Sequence, residues 1–250
     1  SDESVKFKIY FPSSIHDPVD ILESIEGYFK GITVNIKAES FTKKKIENWQ
    51  TNWQKHFKPI DIGKNFLVRP PWESSIPGKK EIVINPGLGF GTGYHESTAI
   101  ALELLEWLGN HLDFKEMIDV GTGSGILAIG ATLMGVERIT AIDIDEDALR
   151  EVRSNFILSG LDGNMCKLML SGPTQVNTSS DLVMANIEGH ILLTLARDLL
   201  RLTRKKGHLI LSGILAEQKQ ILAREFIREM TIIKELEKNE WYGVIWEKTK

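Results

Sequence analysis

The sequence has very little cysteine: Cys166 is its only one among 250 residues. A single cysteine excludes an internal disulfide, and a metal site built on cysteines needs more thiolates than that. No uninterrupted apolar run reaches the roughly 18 residues of a membrane-spanning helix. The opening "SDESVKFKIYF" also lacks the apolar core of a signal peptide. We therefore expect no membrane association and a location in the reducing cytoplasm.

A concentrated basic surface is missing as well. The chain carries 30 Lys and Arg against 34 Asp and Glu, for a net charge of −4, and the two signs are mixed along it. Non-specific binding to nucleic acid relies on clustered positive charge that neutralises phosphates. The composition therefore predicts no direct nucleic-acid binding, and it is compatible with a basic protein partner.

The first 60 residues predict a small α+β module, in which a helix lies between two strands. A further helix follows and places Trp49 and Trp53 on one face. So small a unit is not independently stable. Because the chain also lacks an initiator Met, we expect the module to be part of a larger domain that begins upstream.

Proline and glycine mark the end of this module. Residues 58–80 contain four prolines and two glycines and show little periodicity apart from a short strand at 66–68. The pattern predicts a linker over 61–80, followed by an α/β domain over 81–250. Its strands are expected at 81–84, 117–120, 138–142, 166–170, 181–186 and 208–212.

Strands and helices alternate through most of this domain, which indicates a mainly parallel sheet with helices on both faces. The tail "EMTIIKELEKNEWYGVIWEK" differs, because it predicts two strands without a helix between them. Such a hairpin adds an antiparallel strand to the sheet.

Two glycine-rich stretches lie close together in this domain. In "INPGLGFGTGYHEST" every second residue from Gly87 to Gly93 is glycine, and "MIDVGTGSGILAIG" follows after about 20 residues. The second has the order strand, glycine turn, helix. Such a turn lets the backbone approach a ligand closely and points helix N-terminal amides at it. A dinucleotide fingerprint requires a third glycine where this chain has Ile126.

The strand after this turn ends in "AIDID". Asp143 lies 22 residues after Gly121, at the position where a carboxylate accepts hydrogen bonds from both ribose hydroxyls of a bound nucleoside. Asp145 and Asp147 are expected to cap the following helix. The combined pattern resembles the S-adenosylmethionine site of Rossmann-like methyltransferases.

A further polar residue ends the strand "DLVMAN". Asn186 is expected at the carboxyl edge of the sheet, where open α/β sheets bind ligands. Its amide oxygen can accept a hydrogen bond from a neutral amine and direct the nitrogen lone pair towards a methyl group. The alternative is an asparagine that only caps a loop.

Four segments together resemble the family of ribosomal protein L11 methyltransferases, known as PrmA. They are "WQTNWQKHFKPIDIGKNFLVRPPW", "NPGLGFGTGYHEST", "DVGTGSGILAI", and "LILSGIL" with the late pair Glu240 and Trp241. The first glycine loop makes the match specific, because it is not a general methyltransferase feature. The resemblance covers roughly residues 46–250. It implies a Rossmann-like domain with a mainly parallel seven-stranded sheet and a small N-terminal module that recognises the substrate.

The resemblance also implies the chemistry. S-adenosylmethionine would donate methyl groups to lysine or N-terminal amines of ribosomal protein L11, and the enzyme would be a monomer. Residues 87–98 would help enclose the cofactor, and residues 121–125 would hold its methionine end. The implied catalytic residues are Asn186 and His95, although for His95 a structural hydrogen bond is an equal alternative. The implied cofactor-binding residues are Phe90, Gly91, Thr92, Thr98, Asp119, Gly121, Thr122, Gly123, Gly125, Asp143, Ile144 and Asn186.

Some features depart from the family pattern. Glu188 and Gly189 follow Asn186 where the family has apolar residues and alanine, so a carboxylate is expected near the substrate. This departure leaves open a related methyltransferase with a different protein substrate. A nicotinamide-dependent oxidoreductase and a non-catalytic binding module are the alternatives from other classes.

Overall fold

The computed structural model describes residues 57–86 and 95–250. They belong to one compact unit, Lys55–Lys250. The expected N-terminal module, up to residue 56, lies outside the described residues. None of the helices in the described part is both long enough and apolar enough to cross a membrane.

The strands in the described residues are β1 (Ile60–Ile62), β2 (Phe66–Arg69), β3 (Lys80–Val83), β4 (Glu116–Val120), β5 (Arg138–Asp143), β6 (Cys166–Leu170), β7 (Ser180–Asn186), β8 (Thr203–Leu215), β9 (Met230–Lys238) and β10 (Trp241–Lys248). The α-helices are α1 (Glu96–Gly109), α2 (Ile126–Leu133), α3 (Glu146–Leu158), α4 (Gly189–Leu202) and α5 (Lys219–Phe226). Short 3₁₀ turns at Pro173–Gln175 and Ala216–Gln218 complete the elements.

The main sheet has seven strands in the order β6-β5-β4-β7-β8-β10-β9. Strands β4 to β8 pair in parallel, and β10 pairs antiparallel with both β8 and β9. The predicted mainly parallel seven-stranded sheet and its terminal hairpin are therefore confirmed. Parallel strands need crossover connections, which here contain α2, α3 and α4, and between β6 and β7 only the 3₁₀ turn Pro173–Gln175.

Apolar side chains cover both faces of this sheet. The central strands β4 and β7 are buried along nearly their whole length, as expected for strands that have helices on both sides. On one face Leu102, Ala128 and Phe156 bring α1, α2 and α3 into a single core. On the other face Leu199 and Phe226 do the same for α4 and α5.

A separate three-stranded sheet precedes the main one. In it β1 pairs antiparallel with β2, and β2 pairs in parallel with β3. The segment 61–80, interpreted from its prolines as a linker, thus contains folded strands, and Phe66 and Val68 are fully buried in the core. The predicted strand at 81–84 corresponds to β3 and belongs to this small sheet. Strand β1 escaped prediction because three residues are too few to show a period.

A buried carboxylate joins the small sheet to α1. Glu106, 6% exposed, accepts hydrogen bonds from the backbone N–H groups of Lys64 and Asn65, the latter at 2.6 Å. The preceding Gly63 has φ +59°, and a Cβ there would lie 2.1 Å from the Glu106 carboxylate. Hydrogen bonds to a charged group contribute about 1.5–3 kcal/mol each. Glu106 therefore holds the β1–β2 turn in place.

Candidate active site

The carboxyl ends of β4, β5 and β7 lie side by side at one edge of the main sheet, because these strands are parallel neighbours. The turn Gly121–Gly125 follows β4, Asp143 ends β5 and Asn186 ends β7. The residues that the sequence placed at strand ends are thus brought together by the fold.

The glycine turn has a backbone that other residues rarely adopt. Gly121, Gly123 and Gly125 have φ values of +68°, +53° and +80°. A Cβ on Gly121 would lie 2.7 Å from a methyl group of Ile187, and one on Gly125 would lie 2.9 Å from Val152. Left-handed backbone and close neighbours both require glycine here. The turn leads directly into α2, whose first N–H groups have no partners within the helix.

Asp119 lies beneath this turn and is fully buried. It accepts a hydrogen bond from the Thr122 hydroxyl at 2.7 Å. Burial raises the pKa of the Asp119 carboxyl to about 7, although the bond from Thr122 acts in the opposite direction. Asp119 therefore supports the turn through Thr122, and its own side chain is shielded from solvent.

Asp143 connects the turn with the next helix. One carboxylate oxygen accepts the Gly123 N–H and the other accepts the Asp145 N–H, both at 3.0 Å. A carboxylate has about four lone-pair sites, so each oxygen can accept one more hydrogen bond. Asp145 caps α3 as predicted and accepts the N–H of Asp147 at 2.9 Å.

Ile144 follows Asp143 and is 83% exposed. An isoleucine so open to solvent, directly beside a polar turn at a strand end, provides an apolar surface on which a planar base can pack. The role of Ile144 in the cofactor site stays a prediction.

Asn186 is held by α1. Its Nδ2 donates a hydrogen bond to the Thr98 hydroxyl at 3.1 Å, and Thr98 is buried in the first turn of that helix. The Asn186 Oδ1 is buried and has no hydrogen-bond partner among the described residues. A buried acceptor without a partner is costly, so it marks a position where a ligand can donate.

His95 begins α1. Its Nδ1 accepts the Ser97 N–H at 3.3 Å and lies 2.8 Å from the Ser97 hydroxyl, which makes it the N-cap of the helix. Its ring packs edge-on against Trp241, with 4.4 Å between centroids. Of the two alternatives for His95, these contacts favour the structural one. The sequence offers little to predict either contact. The cap depends on a histidine two residues before Ser97, and Trp241 is too distant in sequence to be recognised as a neighbour of His95.

The start of α1 is also attached to the sheet. The Ser212 hydroxyl donates to the backbone oxygen of Ser97 at 2.8 Å, and Ser212 is the register partner of Asn186 in β8. Ser212 was missed from sequence, because nothing in "LILSGIL" singles out its hydroxyl. The hydrogen bond between Thr98 and Asn186 is therefore supported by a second link between α1 and the sheet, from Ser212 to Ser97.

Glu188 and His190 flank the start of α4. Both side chains are about 70% exposed, and their closest polar atoms are 3.2 Å apart. The Glu188 carboxylate is thus open to solvent at the N-cap of the helix, and its expected place near the substrate stays a prediction. Phe90, Gly91 and Thr92 of the first glycine stretch lie outside the described residues.

Comparisons with known proteins bear on the family of this chain. The model of the family "Ribosomal protein L11 methyltransferase (PrmA)" matches residues 2–249. A ribosomal protein L11 methyltransferase of Geotalea uraniireducens is 39% identical over 73% of this chain and 61% of its own length. The Geobacter sulfurreducens protein of the same name is 36% identical, over 84% and 70% respectively.

A solved structure with a similar fold carries a related name. The ribosomal protein L11 methylase from Lactobacillus delbrueckii subsp. bulgaricus superposes with a TM-score of 0.71 at 28% identity, covering 77% of this chain and 99% of its own. The matched part of this chain nevertheless spans only 61% of the Geotalea protein. Because the family model matches nearly the whole chain and the fold is shared, the chain belongs to the ribosomal protein L11 methyltransferase (PrmA) family.

Proposed function

We propose that this protein is an S-adenosylmethionine-dependent protein N-methyltransferase. Its substrate would be ribosomal protein L11, methylated on lysine or N-terminal amines. Family membership supports the reaction class and the substrate. The single observation that carries the proposal is the Asn186 amide, whose oxygen is buried and without a partner in the described residues, at the same strand edge as the glycine turn.

The residues at this edge fit the cofactor. The Gly121–Gly125 turn presents main-chain N–H groups at the start of α2, which suit the carboxylate of the methionine end. The spare lone pairs of Asp143 suit ribose hydroxyls, and Ile144 suits the adenine face. When bound, S-adenosylmethionine supplies an electrophilic methyl group on a sulfonium ion.

Asn186 orients the incoming amine. Because its Nδ2 is engaged by Thr98, the Oδ1 is the atom left to accept a hydrogen bond. An amine that donates to this oxygen points its lone pair away from the amide and towards the methyl group. Alignment of this kind accounts for a large part of the acceleration of a displacement reaction.

The amine must be neutral to react. A lysine side chain has a reference pKa of about 10.4, and entry into a site that excludes water lowers it, because burial disfavours the charged form. A dedicated general base is therefore not required. The contacts of His95 support a positioning role: it caps α1, the helix that carries Thr98.

The location, the oligomeric state and the way the substrate is recognised are proposed from the composition and from the predicted domains. The protein would act in the cytoplasm as a monomer, and residues 1–60 would contribute to substrate recognition. The mixed charge of −4 supports a protein substrate over nucleic acid. The exposed Glu188 supports one second candidate, a different protein substrate with a basic residue close to the methylated amine.

Mass spectrometry tests the substrate. Purified ribosomal protein L11 is incubated with the enzyme and S-adenosylmethionine, and we expect mass increments of whole methyl groups on amine-bearing residues. Omission of the cofactor is the control. An unmodified ribosomal protein in the presence of an enzyme that binds the cofactor would disprove the substrate assignment.

Thermal denaturation tests the cofactor. Only ligands that bind the native state raise the melting temperature, so S-adenosylhomocysteine should raise it and NADH should not. The reverse result would support the nicotinamide-dependent alternative.

A further inference from the structure

The buried side chain of Asn155 links two distant segments of the chain. Asn155 lies in α3 and is 1% exposed. Its Nδ2 donates to the backbone oxygen of Ser124 at 2.9 Å, and its Oδ1 accepts the backbone N–H of Asn85 at 3.1 Å. Both ends of the amide are thus used on main-chain groups.

The two partners belong to the two glycine-rich stretches. Ser124 lies inside the Gly121–Gly125 turn, and Asn85 lies two residues after the end of β3 and two residues before Gly87. They are 31 and 70 residues away from Asn155 in sequence. The Asn155 side chain therefore sets the distance between the Gly121–Gly125 turn and Asn85.

Asparagine is the side chain that suits both contacts. It supplies a donor and an acceptor on one planar group, whereas an ionised aspartate offers only acceptors and would place a negative oxygen against the Ser124 carbonyl. A buried donor or acceptor that loses its partner costs considerably more than a typical hydrogen bond contributes.

We propose that Asn155 is a positioning residue for cofactor binding, which couples the Gly121–Gly125 turn to Asn85. This inference rests on the proposed function, because the Gly121–Gly125 turn would hold the methionine end of S-adenosylmethionine. Asn155 acts through the backbone of Ser124 and Asn85 and touches no reacting atom.

A neighbouring residue provides a matched control. Ser159, at the C-terminal end of α3, has a hydroxyl that accepts the Val83 N–H at 2.9 Å. It ties α3 to β3 in the same way, but it makes no contact with the glycine turn. Ser159→Ala thus removes a hydrogen bond from α3 to the backbone near Asn85 and leaves the hydrogen bond from Asn155 to Ser124 in place.

The first readout is affinity for S-adenosylhomocysteine, measured by calorimetry. At a pH high enough to ionise the new carboxyl, we expect Asn155→Asp to raise the Kd on the order of tenfold, since it loses one buried hydrogen bond and gains a repulsive contact. Ser159→Ala should lower the melting temperature but change the Kd by less than about twofold. An unchanged Kd for Asn155→Asp, or an equal loss of affinity in both variants, would refute the positioning role.

The second readout needs no ligand. Amide hydrogen exchange in Asn155→Ser should accelerate at Asn85 and also at Gly123 and Gly125, because both links are lost. In Asn155→Asp only the turn amides should exchange faster, and in Ser159→Ala neither set. If the native protein fails to bind S-adenosylhomocysteine, the proposed cofactor is wrong, and this exchange pattern still decides the coupling. Exchange that changes at Asn85 alone, or at neither segment, would overturn it.

Discussion

The charged side chains at the two ends of the main sheet's strands differ in how far they are paired within the protein. At the amino edge, where β4, β7 and β8 begin, charged side chains pair with one another. Arg204 bonds to both Glu116 and Asp181, and Glu116 also bonds to Arg138. These cations hold the pKa of Glu116 below its usual range, chiefly through the hydrogen bond from Arg204.

At the carboxyl edge, binding capacity is left over. The Asn186 oxygen has no partner in the described part, Asp143 retains lone pairs, and Ile144 is open to solvent. The same strands, β4, β5 and β7, run from one edge to the other, so a difference between strands cannot explain why the two edges differ. The charges at the amino edge are paired with one another, whereas the carboxyl edge retains acceptor capacity that we propose for a ligand, and substitutions at the two edges should differ accordingly.

The largest expected effect is at Asn186. Asn186→Ala should reduce turnover by roughly 10²- to 10³-fold, the usual cost of removing a group that is aligned on the reacting atoms. The Kd for S-adenosylhomocysteine should stay within about twofold. Steady-state kinetics and calorimetry measure the two quantities, and a parallel loss of both would mean that Asn186 is only structural.

Asp119 provides a test by pH. Because its native pKa of about 7 lies above the unfolded value of about 3.9, the native state holds a proton that the unfolded state has lost between these values. The free energy of unfolding should therefore fall as pH rises from about 4 to about 7, by roughly 2–4 kcal/mol at most. Urea denaturation should show this component in the native protein and not in Asp119→Asn. The same slope in both proteins would contradict the assignment.

Asp143 should show a more moderate effect. Asp143→Ala removes the acceptors proposed for the ribose and the link to Gly123, so the Kd for S-adenosylhomocysteine should rise about tenfold. The melting temperature without ligand reports any change in the fold itself. Unchanged affinity would refute the ribose assignment.

The smallest effect is expected at the amino edge. Arg204→Gln breaks ion pairs that are partly exposed, and such pairs contribute about 0.2–1 kcal/mol and weaken with salt. Urea denaturation at low and high salt should show a small loss that shrinks as salt is added, with no change in cofactor affinity. A loss of affinity here would abolish the functional contrast between the two edges.

Much of the site was predictable, because its signals are local. The glycine turn, Asp143 and Asn186 each follow a recognisable strand directly, and parallel strands bring their carboxyl ends to one edge. The terminal hairpin was predictable for a similar reason, since two strands without an intervening helix can only pair antiparallel over so short a turn.

Other features depend on residues that are distant in sequence. The small sheet over β1–β3 relies on burial of Phe66 and Val68, and its proline-rich surroundings resemble a linker. Glu106 holds a turn 42 residues away, and Asn155 contacts Asn85 across 70 residues. The sequence of a helix does not show which distant backbone group a polar side chain on it will bind.

The sequence alone determined the strand order along the chain, the position of the glycine turn and the polar residues at the strand ends, because periodicity and turn chemistry act over a few residues. Only the tertiary structure decided which of these polar groups are already engaged. Thr98 takes the Asn186 nitrogen and leaves its oxygen, while Trp241 and Ser97 occupy His95. Hydrogen-bond saturation is a property of neighbours in space, so it emerges only when the chain has folded.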